Sequence, residues 1–158
     1  MKYLGTAVGC TLMLLLTVPR YGGFLLGFFL LFLIPLFLYS GVRMYRHKNE
    51  LKVRGTKLAI WMAAIFVTLG VNFYRYNFTR DAANSVVAAI VKYHETSGIY
   101  PSSLEGLGYG GKSLKSSLGM YGYRKTDGQP SFFYGVPYMI FDTYRYDFDS
   151  ERWVYSEY

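Results

Sequence analysis

Acidic residues near the C-terminus are the first group in this sequence whose type and spacing suggest chemistry. They are Asp142, Asp147, Asp149 and Glu151. Carboxylate oxygens at such short spacing could bind Ca²⁺. Arg145 and Arg152 are interleaved with them, however, and offer charge partners on neighbouring strands. The pattern favours ion pairing between strands, with calcium binding as the alternative.

Groups for catalysis are sparse in the same part of the chain. His94 and Glu95 are adjacent on a predicted helix, where neighbouring side chains point about 100° apart. No second histidine and no cysteine follows Tyr74. A nucleophilic triad needs a histidine with two partners, and a metal site needs several ligands. We therefore expect no catalytic residue, no cofactor, no metal and no small-molecule substrate.

Tyrosine is the most informative residue type after the acids. Thirteen of the 17 tyrosines lie from Tyr74 to Tyr158. Tyrosine and tryptophan are enriched where proteins meet partners, and short strands cannot bury so many rings. The candidate partner-binding residues are Tyr144, Tyr146, Trp153 and Tyr155. The alternative is that these rings pack in a small core.

An antiparallel β-meander is predicted to position these residues. Aromatic and β-branched runs at 120–125, 131–136, 138–148 and 152–158 are separated by turn residues. Within the third run Tyr144, Tyr146 and Phe148 alternate with charged residues, a period typical of a strand with one covered face. The Gly- and Ser-rich segment 102–119 is predicted to be coil.

A long helix precedes the predicted sheet. Residues 58–74 carry no charge and indicate a membrane span. From Asp81 onward polar and apolar residues separate onto two faces at helical spacing, and Gly98 and Pro101 are typical of a helix end. We expect the sheet to wrap the apolar stripe of this stalk helix.

Three membrane spans are predicted in all, because uncharged runs also fill 3–19 and 21–42. Eight of the 17 basic residues precede residue 58, against the single acidic Glu50, and six of them lie in 43–57. This loop is therefore expected to be cytoplasmic rather than to bind nucleic acid, with the N-terminus cytoplasmic and the C-terminal domain outside. A cleaved signal peptide ending near Pro19 is the alternative, because Lys2 precedes a leucine-rich run.

The predicted organisation has three parts. Residues 1–56 form a transmembrane hairpin and a basic loop, 57–100 a span that continues as the stalk helix, and 101–158 the antiparallel sheet. The fold class is therefore an α+β membrane protein.

The stretch AANSVVAAIVKYHETSGIYPSSLEGL, residues 82–107, resembles type IV pilins and type II secretion pseudopilins. The local markers are Tyr93, Gly98, Tyr100, Pro101, Ser103, Leu104 and Leu107. In that family this pattern marks the end of the long helix, where the chain turns toward an antiparallel sheet. The resemblance implies a pilin-like domain in the periplasm of a bacterium.

Two pilin features are missing before the third predicted span. Pilins have a basic leader cut before Phe or Met, and a glutamate five residues into the mature helix, whereas this segment reads VRGTKL. A subunit held by several spans could hardly join a fibre. The expected function is non-enzymatic protein binding at the bacterial inner membrane, as an accessory of a pilus or secretion assembly. The alternative is a membrane-bound immunity protein that neutralises a periplasmic or membrane-acting toxin.

Overall fold

The computed structural model describes residues 3–157 and has an α+β fold, with long helices followed by a four-stranded antiparallel sheet. The chain divides into two compact units, residues 1–73 and 74–158. Lys2, on which the signal-peptide alternative rests, and Tyr158, the end of the last predicted strand, lie outside the described residues.

The first unit consists of α1 (Leu4–Thr17), α2 (Leu25–Arg46), a 3₁₀ turn (Lys48–Glu50) and the first part of α3 (Leu51–Ser97). Apolar side chains from the three helices pack into one cluster, which comprises Cys10, Met13, Leu26, Leu33, Ala64 and Ile65. The turn between α1 and α2 requires glycine, because a Cβ at Gly22 would lie 2.2 Å from the Leu16 carbonyl oxygen. The predicted hairpin of apolar helices is therefore present.

The structure supports two candidate spans rather than three. Among the described residues, α2 and α3 are long and apolar enough to cross a membrane. With 14 residues at about 1.5 Å each, α1 reaches about 21 Å, short of a hydrocarbon core of about 30 Å. The prediction of a third span was wrong because the uncharged run 3–19 includes residues that do not belong to the helix.

The predicted basic loop is much shorter than 43–57. Helix α2 continues to Arg46 and α3 begins at Leu51. Arginine, lysine and glutamate are good helix formers, and the Arg54 Nε lies 2.5 Å from a Glu50 carboxylate oxygen four residues earlier. The charged residues correctly predicted a polar region at 43–57, but most of its backbone is helical rather than a loop.

The second unit contains the later part of α3, a 3₁₀ turn (Glu105–Leu107), α4 (Gly111–Leu118) and four strands. The strands are β1 (Tyr121–Thr126), β2 (Gln129–Gly135), β3 (Thr143–Asp147) and β4 (Arg152–Ser156). They pair in sequence order, all antiparallel, which confirms the predicted meander. Two details were wrong: α4 replaces part of the predicted coil, and residues 138–142 precede the third strand instead of belonging to it.

The core of the second unit lies between α3 and the sheet. The helix contributes Ala83, Val86, Val87 and Ile90, and β2 contributes Phe132 and Tyr134. Leu104 and the two buried leucines of α4, Leu114 and Leu118, complete the cluster. The sheet thus covers the apolar stripe of the stalk helix, as its helical spacing predicted.

Candidate binding surface

The four aromatic residues predicted to bind a partner lie together on one face of the sheet. Tyr144 pairs with Tyr155 and Tyr146 with Trp153 across β3 and β4. Since side chains alternate between faces along a strand, all four share a face with Phe132, the partner of Tyr146 on β2. Phe132 is fully buried. This is therefore the face that packs on the helix.

The aromatic side chains on this face contact α3 and one another. The Trp153 Nε1 donates a hydrogen bond of 2.8 Å to Oδ1 of Asn84 on α3. Ring centroids are 5.0 Å apart for Tyr134 and Trp153, 5.1 Å for Tyr146 and Trp153, and 5.6 Å for Tyr134 and Tyr144. These separations are typical of favourable aromatic pairs. Tyr144, Tyr146 and Trp153 are half-buried here, so most of their surface serves packing.

Tyr155 is the most accessible of the four, with 44% of its surface exposed. Its hydroxyl donates a hydrogen bond of 2.5 Å to Oδ2 of Asp142, whose side chain is buried. This hydrogen bond to the carboxylate raises the pKa of Tyr155 to about 12. The Asp142 carbonyl oxygen also accepts the backbone N–H of Val136. Tyr155 therefore fastens the end of the 136–142 loop to β4.

The opposite face of the sheet carries a different row of residues. Gly122, Phe133, Arg145 and Val154 are cross-strand neighbours in that order from β1 to β4. Arg124 lies on the same face, two residues beyond Gly122. We call Arg124, Phe133, Arg145 and Val154 the arginine face. Both arginines and Val154 are exposed, and Phe133 is half-buried.

A shallow cavity of about 580 Å³ opens on the arginine face. Gly122 and Phe133 line it together with Arg124 and Arg145. A Cβ at Gly122 would lie 2.4 Å from Cε1 of Phe133, so the aromatic ring rests directly against the glycine backbone. The Phe133 ring lies between the strands that carry the two arginines, and Thr126, Gln129 and Ser131 add polar groups to the lining.

The charges around this cavity are not balanced locally. Among residues 3–157, neither Arg124 nor Arg145 forms a salt bridge. Asp147, the acidic residue nearest in sequence to Arg145, accepts hydrogen bonds from the Ser150 hydroxyl and the Asp149 N–H, which lower the pKa of Asp147. Both arginines are therefore exposed and carry no charge partner within the described residues. The sequence signal for this face was the alternation of charged and aromatic residues in β3, which marks two faces without showing which one is open.

His94 and the acidic residues near the C-terminus have the following contacts. The His94 ring stacks on Tyr100 with centroids 4.0 Å apart. Within the part of the chain that the structure describes, no three His, Cys, Asp or Glu side chains are grouped as metal ligands. Among the acidic residues 142–151, Asp142 is bound by the Tyr155 hydroxyl, and the Asp147 carboxylate accepts from Asp149 and Ser150.

No protein-family model, curated protein or solved structure matches this chain.

Proposed function

We propose that this chain is a non-enzymatic inner-membrane protein that presents a pilin-like periplasmic domain for protein–protein binding, as an accessory of a pilus or secretion assembly. The observation that carries the proposal is the arginine face, with its two unpaired guanidinium groups beside an aromatic floor. The packing of a long helix on an antiparallel meander supports the pilin-like assignment.

The proposed membrane placement is supported by the charge distribution and by the first unit alone. The basic residues between α2 and α3 belong on the cytoplasmic side, so the two spans lead the second unit into the periplasm. Gly5 and Thr6 of α1 line the same cavity as Asn49 and Arg54. The N-terminal end of α1 therefore lies at the cytoplasmic end of the helices, and α1 packs beside the two spans.

The partner chemistry follows from the arginine face. Guanidinium groups bind carboxylates with paired, charge-assisted hydrogen bonds, and arginine is enriched at interfaces together with aromatic residues. The proposed occupant is an acidic segment of an envelope protein, with its carboxylates on Arg124 and Arg145 and an apolar side chain over Phe133. The Tyr144, Tyr146 and Trp153 rings pack on the opposite face of the sheet, against the core of the second unit, and Tyr155 on the last strand is exposed.

Crosslinking in native membranes tests the proposal. A photoreactive residue replaces Val154 on the arginine face or, as control, the exposed Ser116 of α4. We expect a discrete envelope-protein adduct from position 154 and none from 116. Arg145→Glu should abolish the adduct, whereas Lys112→Glu, the same charge change at an exposed lysine of α4, should leave it intact.

The outcomes separate the functional classes. An adduct with a pilus or secretion component supports the accessory role. An adduct with a toxin, together with protection of cells from that toxin, would replace this role with that of an immunity protein. Self-adducts alone, or equal losses in both charge-reversal variants, would overturn binding through the arginine face.

A further inference from the structure

A second cavity lies within the first unit, and its lining residues all belong to the helices and the 3₁₀ turn of that unit. It measures about 790 Å³, within the range of about 300–1,000 Å³ that is usual for ligand pockets. It lies among the start of α1, the middle of α2 and the start of α3. This position is the end of the helices where the basic residues of 43–57 are found.

One part of the cavity is apolar. Helix α2 lines it with Phe29, Phe32, Leu33 and Leu36, and α3 adds Trp61. The α2 residues follow the helical period and form one stripe that continues to Ser40. From Phe29 to Ser40 the helix rises about 16 Å, which is about half the thickness of a hydrocarbon core. A hydrocarbon chain of one membrane leaflet matches this length.

The other part of the cavity is polar and carries excess positive charge. Ser40, Asn49, Glu50, Arg54 and Lys57 line it. A Glu50 carboxylate oxygen lies 2.5 Å from the Nε of Arg54 and 3.4 Å from the Nε of Arg43, a residue outside the cavity lining. One carboxylate is thus shared by two guanidinium groups.

Lys57 is the unpaired cation of this polar end. It is half-buried, and no salt bridge joins it to any residue in 3–157. The phenol oxygen of Tyr39, at the same end, accepts a hydrogen bond of 2.8 Å from Arg43, which leaves its O–H free to donate. Lysine and tyrosine donors together suit the oxygens of a phosphate group.

We propose that this cavity binds an anionic phospholipid of the cytoplasmic leaflet, with one acyl chain along the α2 stripe and the phosphate on Lys57 and the Tyr39 hydroxyl. The proposal rests on the membrane placement proposed above and is independent of the arginine face. Excess positive charge selects an anionic head group over a zwitterionic one, and the apolar stripe requires an attached acyl chain.

Native mass spectrometry of the full chain in detergent micelles tests this site. Phosphatidylglycerol and phosphatidylcholine with identical acyl chains are offered in equal amounts, and glycerol phosphate serves as a probe without acyl chains. We expect retained phosphatidylglycerol to exceed phosphatidylcholine severalfold, and glycerol phosphate not to be retained.

Two variants probe the two parts of the cavity, each with a matched control. Lys57→Gln should reduce phosphatidylglycerol retention about fivefold, whereas Lys52→Gln, at an exposed lysine outside the cavity, should not. A Cβ meets nothing within 4 Å at Gly5, which lines the cavity, or at Gly27, which does not. Gly5→Leu should therefore reduce retention of both lipids, and Gly27→Leu should not.

Equal retention of the two lipids by the unaltered chain would overturn the proposal, as would equal losses in the two lysine variants. Retention of glycerol phosphate at the level of the lipid would instead indicate a free-phosphate site. An unchanged helical circular-dichroism spectrum in each variant shows that the helices remain folded. Loss of lipid selectivity with crosslinking at Val154 intact would refute the lipid site alone.

Discussion

Replacement of adjacent phenylalanines on β2 tests which face of the sheet is buried. Phe132 is fully buried, and its ring centroid lies 6.0 Å from that of Trp153. Phe133 points to the arginine face and is half-buried. A buried Phe→Ala change costs about 3–5 kcal/mol, a large share of the roughly 5–15 kcal/mol typical of a folded domain. Removal of a half-buried ring should cost about 1 kcal/mol.

The assay is urea unfolding of the full chain in nanodiscs, followed by Trp153 fluorescence in a Trp61→Phe background. With a denaturant slope of about 2 kcal/mol/M, the Phe132→Ala midpoint should fall by about 2 M. The Phe133→Ala midpoint should fall by about 0.5 M. Equal shifts, or a larger shift for Phe133→Ala, would refute the assigned register, because a slip of one residue exchanges the two faces.

Three further perturbations have defined outcomes. Folding favours the neutral phenol of Tyr155, since the pKa of this group rises from 10.0 to about 12. The stabilisation of the fold by this group is therefore complete below pH 10 and lost between pH 10 and 12. The melting temperature of Tyr155→Phe should accordingly fall less over this pH window than that of the unaltered chain. Gly122→Ala should lower the free energy of unfolding by about 1–3 kcal/mol in a urea titration. The new Cβ would lie 2.4 Å from Cε1 of Phe133 and would displace that ring. Thr68→Val removes a buried hydroxyl 3.2 Å from that of Thr17 and should cost about 0.6 kcal/mol in detergent unfolding; no change would show that this contact is not stabilising.

The parts of the fold that were predictable are those with a clear hydrophobic period. The stalk helix has an apolar stripe with helical spacing, and its end at Ser97 was marked by Gly98, which has φ of 72°. The strand β3 has alternating aromatic and charged residues. Both patterns record burial against one surface, so they could be recognised without knowledge of the rest of the chain.

The parts that were missed depend on tertiary contacts. Helix α4 has glycine and serine, which favour coil locally, yet Leu114 and Leu118 are spaced four apart and both are buried. Alternation in β3 could not reveal which face is covered, because the aromatic side has enough apolar surface for either a core or an interface. The structure assigns that side to the helix through contacts such as Trp153 with Asn84, more than 60 residues apart in the chain.

The positive charge of the arginine face is confined to a small area of a second unit that has no net charge. From residue 58 onward nine basic residues balance nine acidic ones, since eight of the 17 basic and one of the 10 acidic residues come earlier. The second unit is therefore neutral as a whole, and its attraction for an anionic partner depends on the few charges near Arg124 and Arg145. At physiological salt such charges are screened within about 8 Å. The acidic segment proposed as the occupant would therefore have to place its carboxylates directly on the sheet, because long-range attraction to the domain contributes little.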